Sequence, residues 1–150
     1  MKKIQTLLNK YYLQIIFIIS FVAVMGSLYF SDVLQIEPCY LCWWQRIFMY
    51  PLFALSASSL IFKIHLRKVH VLAIAIPGLS FAVYHWLVQT FGVGTQFLGC
   101  AAERPCTTID VQYLGFITIP FMSMIGFLTI VLVVVFSSDI KTFVKRVLKK

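Results

Sequence analysis

The chain has 150 residues, of which 61% are apolar, 16% aromatic and only 12% charged, and its formal net charge is +8. A soluble domain of this size with so few charges would expose a large apolar surface, so the composition indicates a membrane protein with a single domain, residues 1–150. The positive charge would suggest nucleic acid in a soluble protein, but here it lies in short tails and loops, and we predict no nucleic-acid partner.

Four apolar stretches lie along the chain, each close to the roughly 20 helical residues that cross a hydrocarbon core about 30 Å thick. The predicted spanning helices are residues 11–30, 43–62, 69–91 and 113–136, and the two loops on one side of the membrane are residues 31–42 and 92–112. The first stretch is longer than the apolar core of a signal peptide, so we expect it to be retained. The predicted fold class is an all-α membrane protein, a four-transmembrane-helix bundle embedded in the lipid bilayer.

The basic residues predict the orientation of this bundle. Eleven of the thirteen lysines and arginines lie in the two terminal tails or in the loop between the second and third stretches. By the positive-inside rule, this side faces the cytoplasm. We therefore predict a multi-pass protein of the cell membrane with both termini cytoplasmic and the other two loops extracytoplasmic.

All four cysteines lie in or beside the two predicted extracytoplasmic loops, where conditions are oxidising. Cys39 and Cys42 belong to "EPCYLCWWQR", and Cys100 and Cys106 end "CAAERPC". If the second helix begins near Pro38, Cys39 and Cys42 stand one turn apart, a separation that a disulfide tolerates. The sequence therefore presents two local cysteine pairs.

The spacing of these residues favours redox chemistry. The start of the helix and Arg46, one turn beyond Cys42, both favour a thiolate, so we predict that Cys42 is the more acidic thiol and that Arg46 is a functional residue. The short ring between Cys100 and Cys106 adds little as a structural staple, and its position on a loop makes it the pair that a soluble protein reaches. Together the pairs predict a relay from water to membrane.

Two other interpretations of the cysteines remain open. A zinc site formed by all four is one, although Cys-x5-Cys is a loose half-site and its thiolates would have to stay reduced. Two plain structural disulfides are the other. The alternative function is therefore a membrane structural or assembly protein with inert loop disulfides or a zinc clip. Haem attachment is excluded because Trp43, not histidine, follows the CxxC. We assign no metal ligand.

A redox-active pair needs an electron acceptor. The glycines of "GVGTQFLG", residues 92–99, do not follow a strand or open a nucleotide-binding fold, so the remaining acceptor is a quinone dissolved in the bilayer. Trp43, Trp44 and Trp86 fit the aromatic belt of a membrane interface. His85 lies at comparable depth, where it is expected either to donate a hydrogen bond to a quinone oxygen or to reach the interface as an ordinary polar side chain.

The run "PCYLCWWQR" at 38–46, the four apolar stretches, the second cysteine pair and "GFITIPF" at 115–121 resemble the DsbB family of membrane thiol:quinone oxidoreductases. Within it, the short Cys-x5-Cys most resembles the Bacillus-type branch, disulfide formation protein C. The resemblance covers nearly the whole chain. It implies disulfide-bond formation, with electrons passing from an extracytoplasmic thioredoxin-like thiol oxidase to the membrane quinone pool, menaquinone or ubiquinone, without a metal.

The same resemblance implies a role for each site residue. Cys100 would receive the partner in a mixed disulfide, and Cys106 would be its companion. Cys42 would contact the quinone with support from Arg46. Better-known proteobacterial relatives have a longer second loop, so the sequence leaves open whether Cys106 forms an interloop disulfide with Cys39.

Overall fold

The computed structural model describes residues 2–92, 105–109, 111–113 and 117–137. Its elements are the helices α1 (Lys2–Leu28), α2 (Tyr40–Ile61), α3 (Lys68–Phe91) and α4 (Ile119–Ser137), a π-helix (Tyr29–Val33) that continues α1, and the strands β1 (Gln112–Tyr113) and β2 (Ile117–Thr118). The two strands pair in antiparallel orientation.

The four helices form a bundle in which each helix packs mainly against two neighbours. α1 contacts α2 and α4, and α3 contacts the same two helices. On α3, the buried residues Val71, Ala75, Ala82 and Val88 recur at helical spacing and therefore share one face. Large apolar side chains such as Ile47 lie exposed on the outside. An apolar exterior around a packed core is what a lipid environment requires.

Three helical stretches among the described residues are long and apolar enough to cross a membrane, namely Thr6–Val33, Lys68–Phe91 and Ile119–Ser137. α2 is of similar length, 22 residues, but carries Gln45 and Arg46 near its start. The structure therefore agrees with a membrane-embedded helical bundle built from three strongly apolar helices and a fourth, more polar one. Its orientation in the membrane stays a prediction.

The predicted and observed limits of the helices agree best for α3. The range 69–91 matches α3 to within one residue. The predicted start of the fourth helix at 113 was wrong, because residues 112–113 pair with residues 117–118 and the helix begins only at Ile119. Pro120 suits that first turn because its missing N–H has no helical partner there. α1 begins at Lys2, well before the predicted residue 11.

Gly78 allows α3 to pack directly against α4. A Cβ atom at Gly78 would lie 2.6 Å from Cζ of Phe127 and 2.9 Å from its Cδ1, and Phe127 is fully buried. Real Cβ atoms do not approach other carbons so closely. Gly78, which follows Pro77 in the interior of α3, is therefore a packing residue.

A polar cluster ties the helices together at the end of the bundle away from the CxxC. The hydroxyl of Tyr12 donates a hydrogen bond to the carbonyl oxygen of Leu66 at 2.8 Å, and Nζ of Lys68 donates to the carbonyl oxygen of Ser137 at 2.7 Å. The first bond satisfies a carbonyl group of the loop before α3, and the second satisfies the last carbonyl group of α4, for which no intrahelical donor remains. They link α1, α3 and α4.

Candidate functional site

Cys39 caps the N-terminus of α2. Its backbone is extended (φ −66°, ψ 169°), and its Sγ accepts a hydrogen bond from the backbone N–H of Cys42 at 3.4 Å. Sulfur thus takes the place that a serine, threonine or aspartate oxygen usually occupies at a helix start. Pro38 precedes the cap and lies outside the helix. The positive end of the helix dipole therefore points at the Cys39 sulfur.

The Cys39 and Cys42 sulfur atoms lie 3.0 Å apart, and both residues are free thiols. A disulfide bond is about 2.05 Å long, so oxidation requires the sulfurs to approach by about 1 Å. Both side chains are only partly buried. The pair is therefore positioned to open and close with a small local movement, in agreement with the one-turn separation expected from the sequence.

A buried histidine connects the thiols to α3. His85 is 2% exposed; its Nε2 lies 3.5 Å from Sγ of Cys39, and its Nδ1 lies 2.9 Å from Nε2 of Gln45, which is 5% exposed. When the Gln45 amide donates to Nδ1, the ring proton sits on Nε2 and points at the Cys39 sulfur. Both ring nitrogens thus have protein partners, and the role of His85 as a quinone ligand stays a prediction.

Cys39 is the acidic thiol of the free pair. The hydrogen bond with the Cys42 side chain and the hydrogen bond with the His85 ring lower the pKa of the Cys39 thiol to about 4, although partial burial acts in the opposite direction. The expectation that Cys42 is the more acidic thiol was wrong for the free dithiol. The backbone N–H of Cys42 and the imidazole of His85 both converge on Cys39.

Arg46 is held against α1. Its Nη2 donates to the carbonyl oxygen of Ser27 and to Oγ of Ser31, both at 3.0 Å, and its guanidinium lies 5.5 Å from the centre of the Trp43 ring. Ser31 belongs to the π-helix, a conformation that often occurs at functional sites. Arg46 lies one helical turn from Cys42, and both line the same cavity.

The second cysteine pair is described only in part. Cys106 is disulfide-bonded and only 2% exposed; it lies in a buried cluster with Leu41 and Val88, against which Cys39 packs. Cys100 lies outside the described residues. The expectation that this pair is accessible was wrong for Cys106, because its side chain packs against Leu41 at the start of α2 and Val88 near the end of α3. That packing brings Cys106 close to the CxxC.

A cavity of about 470 Å³ opens beside the dithiol. All four helices contribute to its lining, which includes Cys39, Cys42, Arg46, His85 and Cys106. Sites for small organic molecules usually have volumes of about 300–1,000 Å³ and mostly apolar walls with a few polar groups. The structure therefore brings five of the six predicted site residues to one cavity.

Two further polar residues of this cavity were missed in the sequence. The Tyr50 hydroxyl and Oε1 of Gln89 are buried, line the cavity and have no hydrogen-bond partner among the described residues. Buried polar atoms are nearly always paired, so such an atom calls for an explanation. A helical projection would have found Tyr50, since it follows Cys42 and Arg46 at intervals of four residues on one face of α2.

None of the three tryptophans lines the cavity. Trp44 stacks on Phe81 with ring centres 5.1 Å apart, and Trp86 lies near Phe121. Trp43 is 55% exposed. The assignment of the three tryptophans to a membrane interface stays a prediction.

A dithiol at a helix start, inside a bundle of membrane-type helices and next to the disulfide-bonded Cys106, defines a membrane protein of thiol–disulfide exchange. The sequence profile of the family Disulfide bond formation protein DsbB matches residues 9–137. The chain belongs to that family.

Several relatives support this assignment. Probable disulfide formation protein C 1 of Bacillus anthracis is 40% identical over 111 residues, which is 74% of this chain and 80% of the relative. Disulfide bond formation protein C of Bacillus subtilis (strain 168) is 36% identical over 115 residues, 77% of this chain and 83% of the relative. The SPbeta prophage-derived disulfide bond formation protein B of the same strain is 36% identical over 121 residues, 79% of each chain. No solved structure matches the chain.

Proposed function

We propose that this protein forms disulfide bonds by oxidising an extracytoplasmic thioredoxin-like thiol oxidase and passing the electrons to a membrane quinone, menaquinone or ubiquinone. The observation that carries the proposal is that the sulfurs of Cys39 and Cys42, 3.0 Å apart, share one cavity with Arg46 and Cys106. Membership of the disulfide bond formation family supports the thiol half of the reaction.

The proposed orientation puts both termini in the cytoplasm and the cysteine end of the bundle outside it. Lys10 and Lys63 line a small pocket at the end of the bundle opposite Cys39, and most of the other basic residues belong to the same end by sequence. Lysine and arginine concentrate on the cytoplasmic side of membrane proteins. The dithiol then faces a compartment in which disulfides persist.

Each step of the thiol relay is the attack of a thiolate on a disulfide sulfur. A partner thiolate attacks Cys100 and releases Cys106, which then attacks Cys39 of the Cys39–Cys42 disulfide and releases Cys42. The partner's second thiol releases Cys100 as the partner's own disulfide closes. Cys100 then re-forms its bond with Cys106, which leaves Cys39 and Cys42 as the dithiol with two electrons gained. The packing of Cys39 against the Cys106 cluster supports Cys39 as the sulfur attacked.

The cavity residues fit a quinone head group. A bound quinone takes up two electrons and two protons to become the quinol. The reduced Cys39–Cys42 pair supplies both electrons and the proton of Cys42 as it returns to the disulfide, and the second proton comes from water because Cys39 is already a thiolate. The Tyr50 hydroxyl, which has no hydrogen-bond partner among the described residues, is a donor suited to a carbonyl oxygen, and Arg46 supplies positive charge where negative charge develops. Helix dipole, Cys42 N–H and His85 stabilise the thiolate from which the exchange with quinone begins.

The test measures reduction of a quinone by a reduced thioredoxin-like partner with the purified full-length protein in detergent. Cys42→Ser should abolish turnover because no disulfide can form with Cys39. Tyr50→Phe should keep thiol exchange with the partner but raise KM for the quinone about threefold to tenfold, the loss of one hydrogen bond. Tyr40→Phe, an exposed tyrosine on the same helix, is the matched control. Unchanged turnover in Cys42→Ser would refute the proposal, and an unchanged KM in Tyr50→Phe would remove the quinone from this cavity.

A trapping experiment tests the partner half separately. In Cys106→Ala the Cys100 thiol is free, so it should displace thionitrobenzoate from a partner whose single remaining cysteine is supplied as the thionitrobenzoate mixed disulfide. The resulting disulfide between Cys100 and the partner should accumulate, because neither chain keeps a second thiol to resolve it. Non-reducing electrophoresis followed by peptide mass spectrometry identifies the linkage. Absence of the adduct in a folded variant would rule out the relay through Cys100.

A further inference from the structure

Three metal-binding donor atoms converge at the start of α2. Sγ of Cys39, Sγ of Cys42 and Nε2 of His85 all lie within 4.8 Å of one another. Two thiols and an imidazole are ligands that zinc prefers, and CxxC is a common half of a zinc site. The set differs from the four-cysteine site considered from the sequence, since His85 takes the place of the second cysteine pair. No metal ligand was assigned from the sequence.

The distances among these atoms are close to those of a tetrahedral zinc site. Zn–S bonds of about 2.3 Å and Zn–N bonds of about 2.0–2.1 Å place two sulfurs about 3.8 Å apart and a sulfur and a nitrogen about 3.5 Å apart. The Cys39 sulfur and His85 Nε2 are 3.5 Å apart. The two sulfurs are 3.0 Å apart and need to separate by about 0.8 Å, a small rotation of one thiol.

Gln45 supplies the support that a histidine ligand needs. A histidine bound to metal through Nε2 usually donates its Nδ1–H to a neighbouring acceptor, which fixes the ring. Gln45 contacts Nδ1 of His85 at 2.9 Å, and both side chains are buried. Rotation of the amide by half a turn presents its oxygen instead of its NH2 group to Nδ1. The same residue therefore supports the ring in the metal-free and in the metal-bound site.

The charges at the site also balance. Two thiolates neutralise a divalent cation, so the bound unit is neutral and Arg46, in the same cavity, meets no added positive charge. The three donors line that cavity, which leaves the fourth position of a tetrahedral ion open to water. Binding releases the thiol protons and transfers no electrons.

We propose that the reduced Cys39–Cys42 dithiol and His85 bind one Zn²⁺ ion, which holds the dithiol reduced and stops its oxidation. While both sulfurs coordinate the ion, they cannot form a disulfide or reduce another one. The site exists only in the reduced protein, because a disulfide offers no thiolate. Zinc is therefore a reversible inhibitor of the dithiol state, a regulation separate from the proposed exchange with quinone and partner.

The experiment uses the full-length protein with Cys100→Ala and Cys106→Ala, so that Cys39 and Cys42 are the only thiols. This protein with two alanines is the parent of all further variants. It is reduced, freed of reductant and titrated with Zn²⁺ against a chromophoric chelator, and a second sample is titrated with Co²⁺. We expect one equivalent of metal and the visible absorption of tetrahedral Co²⁺ with thiolate ligands. Cys42→Ser should abolish both. Gln45→Leu should weaken the affinity about 10–100-fold, the usual effect of losing a group that supports a ligand, and His85→Ala at least as much.

His70→Ala, an exposed histidine near the start of α3, is the matched control and should bind zinc like the parent. No stoichiometric binding, a non-tetrahedral Co²⁺ spectrum, or parental affinity in His85→Ala would overturn the proposal. If His85→Ala does not fold, the Co²⁺ spectrum of the parent and the zinc affinity of Gln45→Leu test the proposal instead. A non-tetrahedral spectrum or parental affinity in Gln45→Leu would then overturn it. No quinone or partner is present, so failure of the proposed function leaves this result unaffected.

Discussion

The pKa of Cys39 has a measurable consequence for its reaction with an alkylating reagent. An ordinary thiol with a pKa of about 8.5 is about 0.3% thiolate at pH 6, and this fraction falls tenfold for each further pH unit. Cys39, whose pKa is lowered to about 4, stays more than about 90% thiolate down to pH 5. Because the pKa is lowered, the thiolate of Cys39 persists at acidic pH and is lost only as the pH falls through about 4.

The prediction concerns how the alkylation rate of Cys39 changes with pH, and not the value of that rate at one pH. Thiolate nucleophilicity falls with pKa with a Brønsted coefficient of about 0.4–0.5, so a pKa lowered by about 4.5 units costs about 100-fold in intrinsic reactivity. At pH 6, the gain in thiolate fraction is about 300-fold, and the two effects nearly cancel. Between pH 8 and pH 5, however, an ordinary thiol slows several hundredfold, while Cys39 should change by less than about twofold.

The assay is alkylation of the reduced protein by iodoacetamide in the presence of a metal chelator, quantified for Cys39 by peptide mass spectrometry. The variant with Cys100→Ala and Cys106→Ala removes the other thiols. Cys42→Ala, which deletes the side chain that contributes most to the low pKa, should shift the profile to higher pH, and Cys42→Ser, which keeps a hydroxyl donor, should shift it less. A tenfold fall in rate per pH unit at Cys39 in the unsubstituted CxxC would refute the assignment of the thiolate.

Two further predictions concern helix contacts. Ser31→Ala removes one of the two acceptors of Arg46 and should raise KM for the quinone about threefold to tenfold with little change in kcat. Ser31→Thr keeps a hydroxyl group and should have the KM of the unsubstituted protein. An equal rise in KM in both variants would show that the contact does not position Arg46. Gly78→Ala forces a methyl group into the ring of Phe127 and should lower the free energy of unfolding by about 1–3 kcal/mol, visible as a lower Tm in detergent, and an unchanged Tm would contradict the close packing.

The one-turn spacing of Cys39 and Cys42 could be predicted from the sequence, whereas the acidity of Cys39 could not. The spacing of Cys39 and Cys42 is enough to place two sulfurs one helical turn apart, because helix geometry alone sets that distance. The acidity of Cys39 depends on its position as a cap, decided by where α2 begins, and on His85, 46 residues away in the chain. Neither the exact helix start nor a contact between helices is encoded in residue spacing.

In the loop before α4, too, features that depend on tertiary packing could not be predicted from the sequence. Cys106 was expected to be exposed because polar loops usually are, but tertiary packing buries it against Leu41 and Val88. The fourth helix was placed too early, since a two-residue strand pair leaves almost no pattern in an apolar sequence. Apolar length alone was sufficient for the bundle, because a chain in lipid must satisfy its backbone within helices.

The burial of Cys106 makes its disulfide chemically asymmetric. Cys106 is 2% exposed, so its sulfur is closed to a thiolate that arrives from water. Reduction of this bond would release the Cys106 thiol inside the protein, in the cluster against which Cys39 packs, instead of at the surface. Packing alone thus keeps the Cys106 sulfur away from water and close to the CxxC.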